Sequence, residues 1–265
     1  MAVAAPEVRE VPTEPRPTPV LLDVQVENLS KSYGEEGKVL DGISFEVERG
    51  QSVALIGSSR SGKSTLLQCC VRLQEPDAGT VHLFGENTTG YSKKQLLRTH
   101  AKIGFLSAKA TFNPKHSVLR AVLEGALPRK NKAVLWFQSS LLRSEREEAL
   151  RCLENVGAAH LAQKSVSELS PADGRRVAIA KVLMLKPQLV IADEPVADLD
   201  IRSAEKTMDL LLGLVRAARL SLLFSSHDLV DALSYADRAL ALHQGKLELD
   251  APVGAEDARV LRALL

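Results

Sequence analysis

One short run of residues constrains the fold of this chain more than any other. It fits the pattern G-x-x-x-x-G-K-[ST], and it reads Gly57-Ser58-Ser59-Arg60-Ser61-Gly62-Lys63-Ser64-Thr65. The apolar run Val53–Ile56 precedes it, and a helical pattern over residues 64–70 follows it. A buried strand, a glycine-rich loop and a helix in this order are typical of an α/β domain with a phosphate-binding loop.

The residue types of this loop suit phosphate. Glycines let the backbone curl so that its N–H groups point at phosphate oxygens, and the helix N-terminus adds a partial positive charge. We predict that Lys63 reaches the β- and γ-phosphates of a nucleotide and that the Ser64 hydroxyl ligates Mg²⁺. A turn that only joins strand to helix is the alternative, but folding alone does not require Lys-Ser-Thr at the start of a helix. Arg60 either contacts a phosphate or faces solvent.

Composition narrows the class of protein. The chain has 265 residues, of which 45% are hydrophobic and 25% charged, as is ordinary for a soluble globular protein. A net charge of +1 gives no electrostatic argument for a nucleic-acid partner. No apolar stretch approaches the roughly 20 residues that span a bilayer, so we expect any membrane role to come through a partner. The three cysteines have neither zinc spacing nor a disulfide pattern, which favours a reducing, cytoplasmic setting.

The pattern along the chain predicts a tail followed by one domain. Residues 1–19 are rich in Pro, Glu, Val and Arg and predict a disordered tail. Apolar strands alternate with helices over residues 20–265, which predicts a mainly parallel sheet with an antiparallel β subdomain beside it. A helical stretch over about 108–185 predicts an inserted helical subdomain. From residue 103 onward the pattern predicts strands at 103–106, 189–192 and 221–225 and helices at 171–185, 201–219 and 228–235. It also predicts a helical stretch from about 117 to 156 with Gly157 as its C-terminal stop, and a hairpin over 239–249.

A second motif supplies two carboxylates. The apolar run Leu189–Ala192 ends in Asp193 and Glu194. A buried strand of an open α/β sheet delivers such residues to the edge where ligands bind. Asp193 suits a contact to Mg²⁺, and Glu194 suits a general base that orients or deprotonates an attacking water. A solvated acidic turn is the alternative, which the phosphate loop elsewhere in the chain disfavours.

Taken together, these motifs resemble the ATP-binding subunits of ABC transporters, from about residue 22 to the C-terminus. The resemblance implies ATP and Mg²⁺ as ligands, Tyr33 stacked on adenine, and Asp198 in a loop that crosses to a partner subunit. It also implies that His227 touches the γ-phosphate, which makes Lys63, Glu194 and His227 the expected catalytic residues. Considered alone, Tyr33 would be a half-buried core residue and His227 a structural histidine.

Within that family the chain is most similar to phosphonate-import ATPases. The similar stretches are Glu124–Leu127, Trp136-Phe137, Glu145–Leu150, Ala192–Asp200 and Gln244–Lys246. The likeness implies two copies that dock on a transmembrane permease at the cytoplasmic face of the inner membrane. A periplasmic solute-binding protein would deliver phosphonate or a related oxyanion, and no nucleic acid is implied.

The chain departs from the family pattern at Arg60, where the phosphate loop of the family commonly has a glycine, and in two other loops. Leu169-Ser170-Pro171-Ala172-Asp173 stands where the family has Leu-Ser-Gly-Gly-Gln, a loop that caps the γ-phosphate from the opposite subunit. Ser170 is retained, but Pro171 has no N–H and Asp173 adds negative charge. The same residues also suit a helix start, with Ser170 as N-cap and Pro171 at the first helical position. In the second loop, Ala108 occupies the position of a glutamine that ligates Mg²⁺.

These departures predict near-normal ATP binding with slowed hydrolysis and weakened ATP-driven dimerisation. Losing one preorganised donor typically costs about 2.7–4 kcal/mol of transition-state stabilisation. Two alternatives to an import ATPase stay open at this stage. In the first, the chain is a soluble ATP-binding accessory subunit of a phosphonate-processing complex. In the second, it is a degenerate subunit paired with an intact ABC ATPase.

Overall fold

The computed structural model describes residues 20–34, 37–109, 112–129 and 141–253, which form two β-sheets and seven α-helices. The tail over residues 1–19 and the pair Trp136-Phe137 lie outside the described residues. The strands are β1 (Leu22–Ser32), β2 (Lys38–Glu48), β3 (Ser52–Ile56), β4 (Ala78–Leu83), β5 (Glu86–Asn87), β6 (Ile103–Leu106), β7 (Leu189–Ala192), β8 (Ser221–Ser226), β9 (Arg238–His243) and β10 (Lys246–Pro252). The helices are α1 (Lys63–Cys70), α2 (Lys93–His100), α3 (Val118–Leu123), α4 (Leu141–Asn155), α5 (Pro171–Leu185), α6 (Ile201–Ala217) and α7 (Leu229–Tyr235).

The larger sheet has six strands in the order β10-β9-β3-β8-β7-β6. Its pairs are parallel except for the β9–β10 hairpin. Strands β3, β7 and β8 are buried throughout, since helices cover both faces of such a sheet. This confirms the predicted mainly parallel α/β core and places the carboxyl ends of β3, β7 and β8 side by side.

The smaller sheet is antiparallel, with four strands in the order β2-β1-β4-β5. Alternate residues of β2 are buried, as its sequence pattern predicts for a strand with one solvated face. The buried face joins α1 and one side of the parallel sheet in a shared hydrophobic core. The start of α1, where the phosphate loop ends, is thereby held between the two sheets.

The middle of the described chain is helical, and the helical stretch predicted from about 117 to 156 holds several separate helices in its described part. Helix α3 ends at Leu123 and a 3₁₀ helix follows over Glu124–Arg129 with Pro128 inside it, where a proline cannot continue an α-helix. Helix α4 ends at Asn155, and Gly157 follows with φ +68°, the left-handed stop that its sequence predicted. No helix in the described part of the chain is both long and apolar enough to cross a lipid bilayer.

Helix α2 was not predicted from the sequence. It has few apolar residues, and only Thr99 is buried, so its periodicity is weak. The overlooked signal was at its start, where Ser92 and Gln95 form a capping box through reciprocal side-chain and backbone hydrogen bonds.

Candidate active site

The phosphate loop leaves β3 under tight steric limits. A Cβ at Gly57 would collide with the carbonyl oxygen of Leu242 in β9. Gly62 has φ +107°, and a Cβ there would lie 2.9 Å from the carbonyl oxygen of Val39 in β2. Both glycines of the motif are therefore required by the walls around the loop as well as by its curvature.

Lys63 lies inside this loop, with only 4% of its side chain exposed. Its ammonium donates hydrogen bonds to the carbonyl oxygens of Gly57, at 2.9 Å, and of Ser58, at 3.1 Å. The Glu194 carboxylate lies 3.9 Å from the ammonium nitrogen. Burial lowers the pKa of Lys63, while the charges of Glu194 and Asp193 act in the opposite direction. In the described part of the chain the buried Ser61 hydroxyl has no hydrogen-bond partner, so the loop has an unsatisfied polar atom to offer a ligand.

Asp193 is the point on which two hydroxyl groups converge. Ser64 at the start of α1 donates to Asp193 Oδ1 at 3.0 Å, and Ser225 of β8 donates to the same oxygen at 2.7 Å. The donor atoms are hydroxyl and carboxylate oxygens, the ligands that Mg²⁺ prefers. Among the described residues, no group of three or more His, Cys, Asp or Glu side chains is placed to hold a metal ion.

Glu194 follows in an unusual backbone conformation. Its φ is +45°, in the left-handed region, and its N–H donates to Ser225 Oγ at 2.9 Å. Non-glycine residues held there are often found at functional sites. The side chain is 31% exposed, whereas Asp193 is 6% exposed. Of the two carboxylates, Glu194 is therefore the one with access to water.

His227 lies at the carboxyl end of β8, exposed, beside Glu194. The two residues and Asp198 line one cavity of about 460 Å³. The Ser226 hydroxyl fixes the backbone here, because it accepts from the Asp228 N–H at 2.9 Å and donates to Asp231 at 2.7 Å. Burial raises the pKa of Asp231.

The loop that begins α5 is satisfied by its own residues. Ser170 Oγ accepts from the Asp173 N–H at 3.1 Å and donates to the Asp173 carboxylate at 2.7 Å. Asp173 also pairs with Arg176 at 3.0 Å. With Pro171 at the first helical position, the structure confirms Ser170 as an N-cap. Ser170 lines a separate cavity of about 300 Å³ together with Asp198, and this cavity does not include Lys63.

The loop after β6 has a partner that the sequence did not reveal. The backbone carbonyls of Ser107 and Ala108 accept hydrogen bonds from Arg175 of α5, at 2.7 Å for Ser107. Arg175 is only 5% exposed. Ala108 itself offers only a methyl group, as its sequence implied.

Two further predicted residues, Tyr33 and Arg60, are exposed. Tyr33 follows β1 with 37% of its surface exposed, and the Lys31 ammonium lies 5.5 Å from its ring centre. Its role toward adenine stays a prediction. Arg60 is exposed with φ +66°, which agrees with the solvent-facing alternative without testing it.

Sequence reasoning missed Ser225 and Arg175. Ser225 was seen only as the end of a strand, although its position at the carboxyl edge of a parallel strand was a usable signal. Arg175 gave no such signal, because an arginine on a helix is usually solvated.

Comparison with known proteins agrees with this geometry. The family model described as "ABC transporter" matches residues 40–197. The phosphonates import ATP-binding protein PhnC of Treponema denticola is 34% identical over 230 residues, which are 86% of this chain and 88% of that protein. PhnC 1 of Nostoc sp. is 37% identical over 245 residues, covering 89% of this chain and 90% of that protein.

Solved structures give the same result. The cbiO1 protein of Clostridium perfringens, part of the ABC transporter complex cbiONQ, superimposes with a TM-score of 0.78 at 26% identity over 91% of this chain and 93% of that chain. The ATP-binding cassette MJ0796, in a dimeric post-hydrolysis state bound to ADP and Pi, gives a TM-score of 0.76 at 28% identity over 88% of this chain and 99% of that chain. The chain therefore belongs to the ABC transporter family and is an ATP-binding subunit homologous to phosphonate-import ATP-binding proteins.

Proposed function

We propose that this chain hydrolyses ATP, with Mg²⁺, to energise the import of phosphonate or a related oxyanion through a membrane permease. The observation that carries the chemistry is the convergence of Ser64 and Ser225 on Asp193, next to the contact between Lys63 and Glu194. The names and the coverage of the relatives support the solute class.

Lys63 is the residue that exchanges partners when ATP binds. Its hydrogen bonds in the structure go to two backbone carbonyls, and phosphate oxygens offer stronger, charge-assisted ones. Ser64 and Asp193 would hold Mg²⁺. The bound cation would neutralise negative charge on the phosphates.

Glu194 is the general base in this proposal. It accepts a proton from the water that attacks the γ-phosphorus, while the bond from the γ-phosphorus to the β–γ bridging oxygen breaks and ADP leaves. The hydrogen bond from the Glu194 N–H to Ser225 Oγ fixes the backbone that carries this side chain. Its greater exposure relative to Asp193 supports this division of roles. His227 and Asp198 share the cavity that Glu194 faces and are proposed to contact the γ-phosphate and the second subunit, respectively.

The loop at Ser170 supports slow hydrolysis. To contact a phosphate of a second subunit, the Ser170 hydroxyl must leave the Asp173 carboxylate, and that carboxylate repels the phosphate. Ala108 contributes no oxygen from its side chain. We therefore propose that turnover is below that of ABC ATPases with an intact loop.

A groove beside the site supports docking on a permease at the cytoplasmic face of the inner membrane. A mainly apolar cavity of about 330 Å³ lies between β6, α5 and the 3₁₀ helix, and Leu73 on its rim is 55% exposed. Ser107, next to Ala108, also lines this cavity, so a permease segment in the groove would touch the loop after β6. The residue before that loop, Leu106, accepts a hydrogen bond from the Asp193 N–H. Such a complex would receive its solute from a periplasmic binding protein.

The closed contact between Ser170 and Asp173 favours a second arrangement, in which this chain pairs with a different ABC ATPase. The partner's intact loop would then cap the ATP held by Lys63, while this chain's altered loop would serve the partner's site poorly. One active and one weak site per dimer would result.

Reconstitution tests these proposals. The chain is purified alone and with its permease, and MgATP binding and steady-state hydrolysis are measured. Magnesium-dependent binding with slow hydrolysis, stimulated by the permease and by solute, is expected. Absence of MgATP binding would contradict the proposed function, and a hydrolysis rate typical of importers would contradict the slowing. Recovery of a mixed dimer from cells would favour the second arrangement.

A further inference from the structure

The guanidinium of Arg175 connects the helical layer to the magnesium-binding edge of the sheet. It starts from the second turn of α5 and donates to two consecutive carbonyls, those of Ser107 and Ala108. Burial of a charged side chain is costly unless its hydrogen bonds are satisfied, and Arg175 is 5% exposed. The two carbonyl acceptors satisfy this buried guanidinium, so the contact belongs to the interior of the protein and is not a surface interaction.

The loop that Arg175 holds is tied directly to Asp193. The carbonyl oxygen of Leu106, the residue before Ser107, accepts a hydrogen bond from the Asp193 N–H at 2.7 Å. β6 and β7 also pair in parallel register over their four residues each, so Leu106 lies opposite Ala192. A shift of the loop at Ser107 is therefore transmitted to the carboxylate that Ser64 and Ser225 contact.

Arg175 also has a charged neighbour on the second functional loop. Asp198 lines the same cavity of about 300 Å³ and has the left-handed φ of +63°. Burial lowers the pKa of Arg175, and the charge of Asp198 opposes that effect. One side chain thus stands between the loop after β6, the loop after Glu194 and the start of α5.

We propose that Arg175 is a positioning residue, which sets Asp193 for magnesium and nucleotide by bracing the Ser107–Ala108 backbone from α5. This inference rests on the proposed function of the site. The contact of Arg175 with the two carbonyls sets how the helical layer is oriented toward the loop after β6, and it exists before any nucleotide binds.

The test compares Arg175→Met with Arg129→Met in the full-length chain. Arg129 is a matched control, since its guanidinium also donates to a backbone carbonyl of the same helical layer, that of Met184 at the other end of α5. Amide hydrogen exchange without nucleotide is measured in peptides covering 103–109 and 189–194. Arg175→Met should raise exchange in both peptides on the order of 10-fold or more, and Arg129→Met should leave both near the wild-type rate.

Magnesium titration of ATP binding gives a second readout. Supporting residues behind a metal site typically contribute 10- to 100-fold in affinity or activity, so Arg175→Met should weaken the apparent Mg²⁺ affinity about 10-fold. Arg175→Lys keeps the charge and can donate to a carbonyl, but it lacks the planar fork that reaches two of them, so it should recover part of the loss. Should Arg175→Met not fold, Arg175→Lys alone carries the test, with raised exchange in both peptides expected.

Equal exchange in the Arg175 and Arg129 variants, or an unchanged magnesium titration in the Arg175 variants, would overturn the proposal. Failure of the wild-type chain to bind MgATP is a different result, which would contradict the function of the site itself. The exchange measurement needs no nucleotide and still decides whether Arg175 braces Asp193.

Discussion

The phosphate loop and the loop that begins α5 differ in where their polar side chains find partners. Lys63 and Ser64 bond to the loop backbone and to Asp193, and Asp193 in turn is held by Ser225 from another strand. In the second loop, Ser170 and Asp173 bond to each other across three positions of sequence. The polar side chains of the phosphate loop are therefore connected to the sheet edge, whereas those of the second loop bond to each other.

The difference shows how a binding loop can keep its fold and lose its ligand contacts. Ser170 still performs the local task of starting a helix, and Asp173 improves that start through its charge near the helix N-terminus. The Ser170 hydroxyl already bonds to the N–H and the carboxylate of Asp173, so it is not available to a phosphate. Lys63, by contrast, bonds to two neutral backbone carbonyls, and the charged oxygens of a phosphate form stronger hydrogen bonds with an ammonium.

The strongest way to break the comparison is Glu194→Gln. General base catalysis contributes about 10²- to 10⁴-fold, so hydrolysis should fall by that factor while MgATP binding persists. Glu205→Gln, on α6 and lining the same cavity, is the control and should retain wild-type turnover. A steady-state phosphate-release assay measures both, and equal rates for the Glu194→Gln variant and wild type would remove Glu194 from its role.

Restoring the second loop should produce the next largest change. The triple substitution Pro171→Gly, Ala172→Gly, Asp173→Gln frees Ser170 and returns a backbone N–H. A single preorganised donor is worth about 10²- to 10³-fold, so hydrolysis in the assembled dimer should rise by about 10²-fold. Unaltered turnover at unchanged stability would show that this loop does not limit hydrolysis.

Lys63→Met tests the first loop with a smaller expected effect. A hydrogen bond to a charged group contributes about 1.5–3 kcal/mol, which corresponds to MgATP binding weakened about 10- to 100-fold. Methionine keeps the buried apolar stem, so the melting temperature should stay close to that of wild type. Equilibrium titration with a fluorescent ATP analogue measures the change, and undiminished affinity would contradict the site.

Ser225→Ala gives the smallest expected effect and sharpens the comparison most. It removes the bond to Asp193 and the acceptor for the Glu194 N–H, which should cost about 1–3 kcal/mol of unfolding free energy and about 10-fold in hydrolysis. Ser221→Ala at the other end of β8 removes a buried hydroxyl that contacts Asp23. That control should lose stability without losing turnover per folded molecule. Equal activity losses in the two variants would mean that Ser225 acts only through stability.

The sequence predicted elements well where an apolar run has clear limits. Strands β6 and β7 and helix α5 have the predicted bounds, because charged residues, proline or a capping serine close each run. Helix α2 was not predicted because few of its residues are apolar. The motifs also assigned Lys63 and Glu194 to one nucleotide site, and in the structure their charged groups lie 3.9 Å apart.

Contacts between distant elements were beyond reach of the sequence. Ser225 meets Asp193 only because β8 neighbours β7, although helix α6 separates them along the chain. Arg175 is buried only because the loop after β6 presents two carbonyls to it. Neither contact has a local pattern, since each depends on strand order or on the meeting of two layers.

Strand β3, which carries the phosphate loop, lies between β8 and β9, and both are synthesised well after it. A nascent polypeptide that has left the ribosome only through β7 holds the complete binding motif without either flanking strand. The wall that Leu242 provides against Gly57 forms only when β9 has emerged. Nucleotide retention should thus appear abruptly once β9 has emerged, in a series of stalled chains of increasing length.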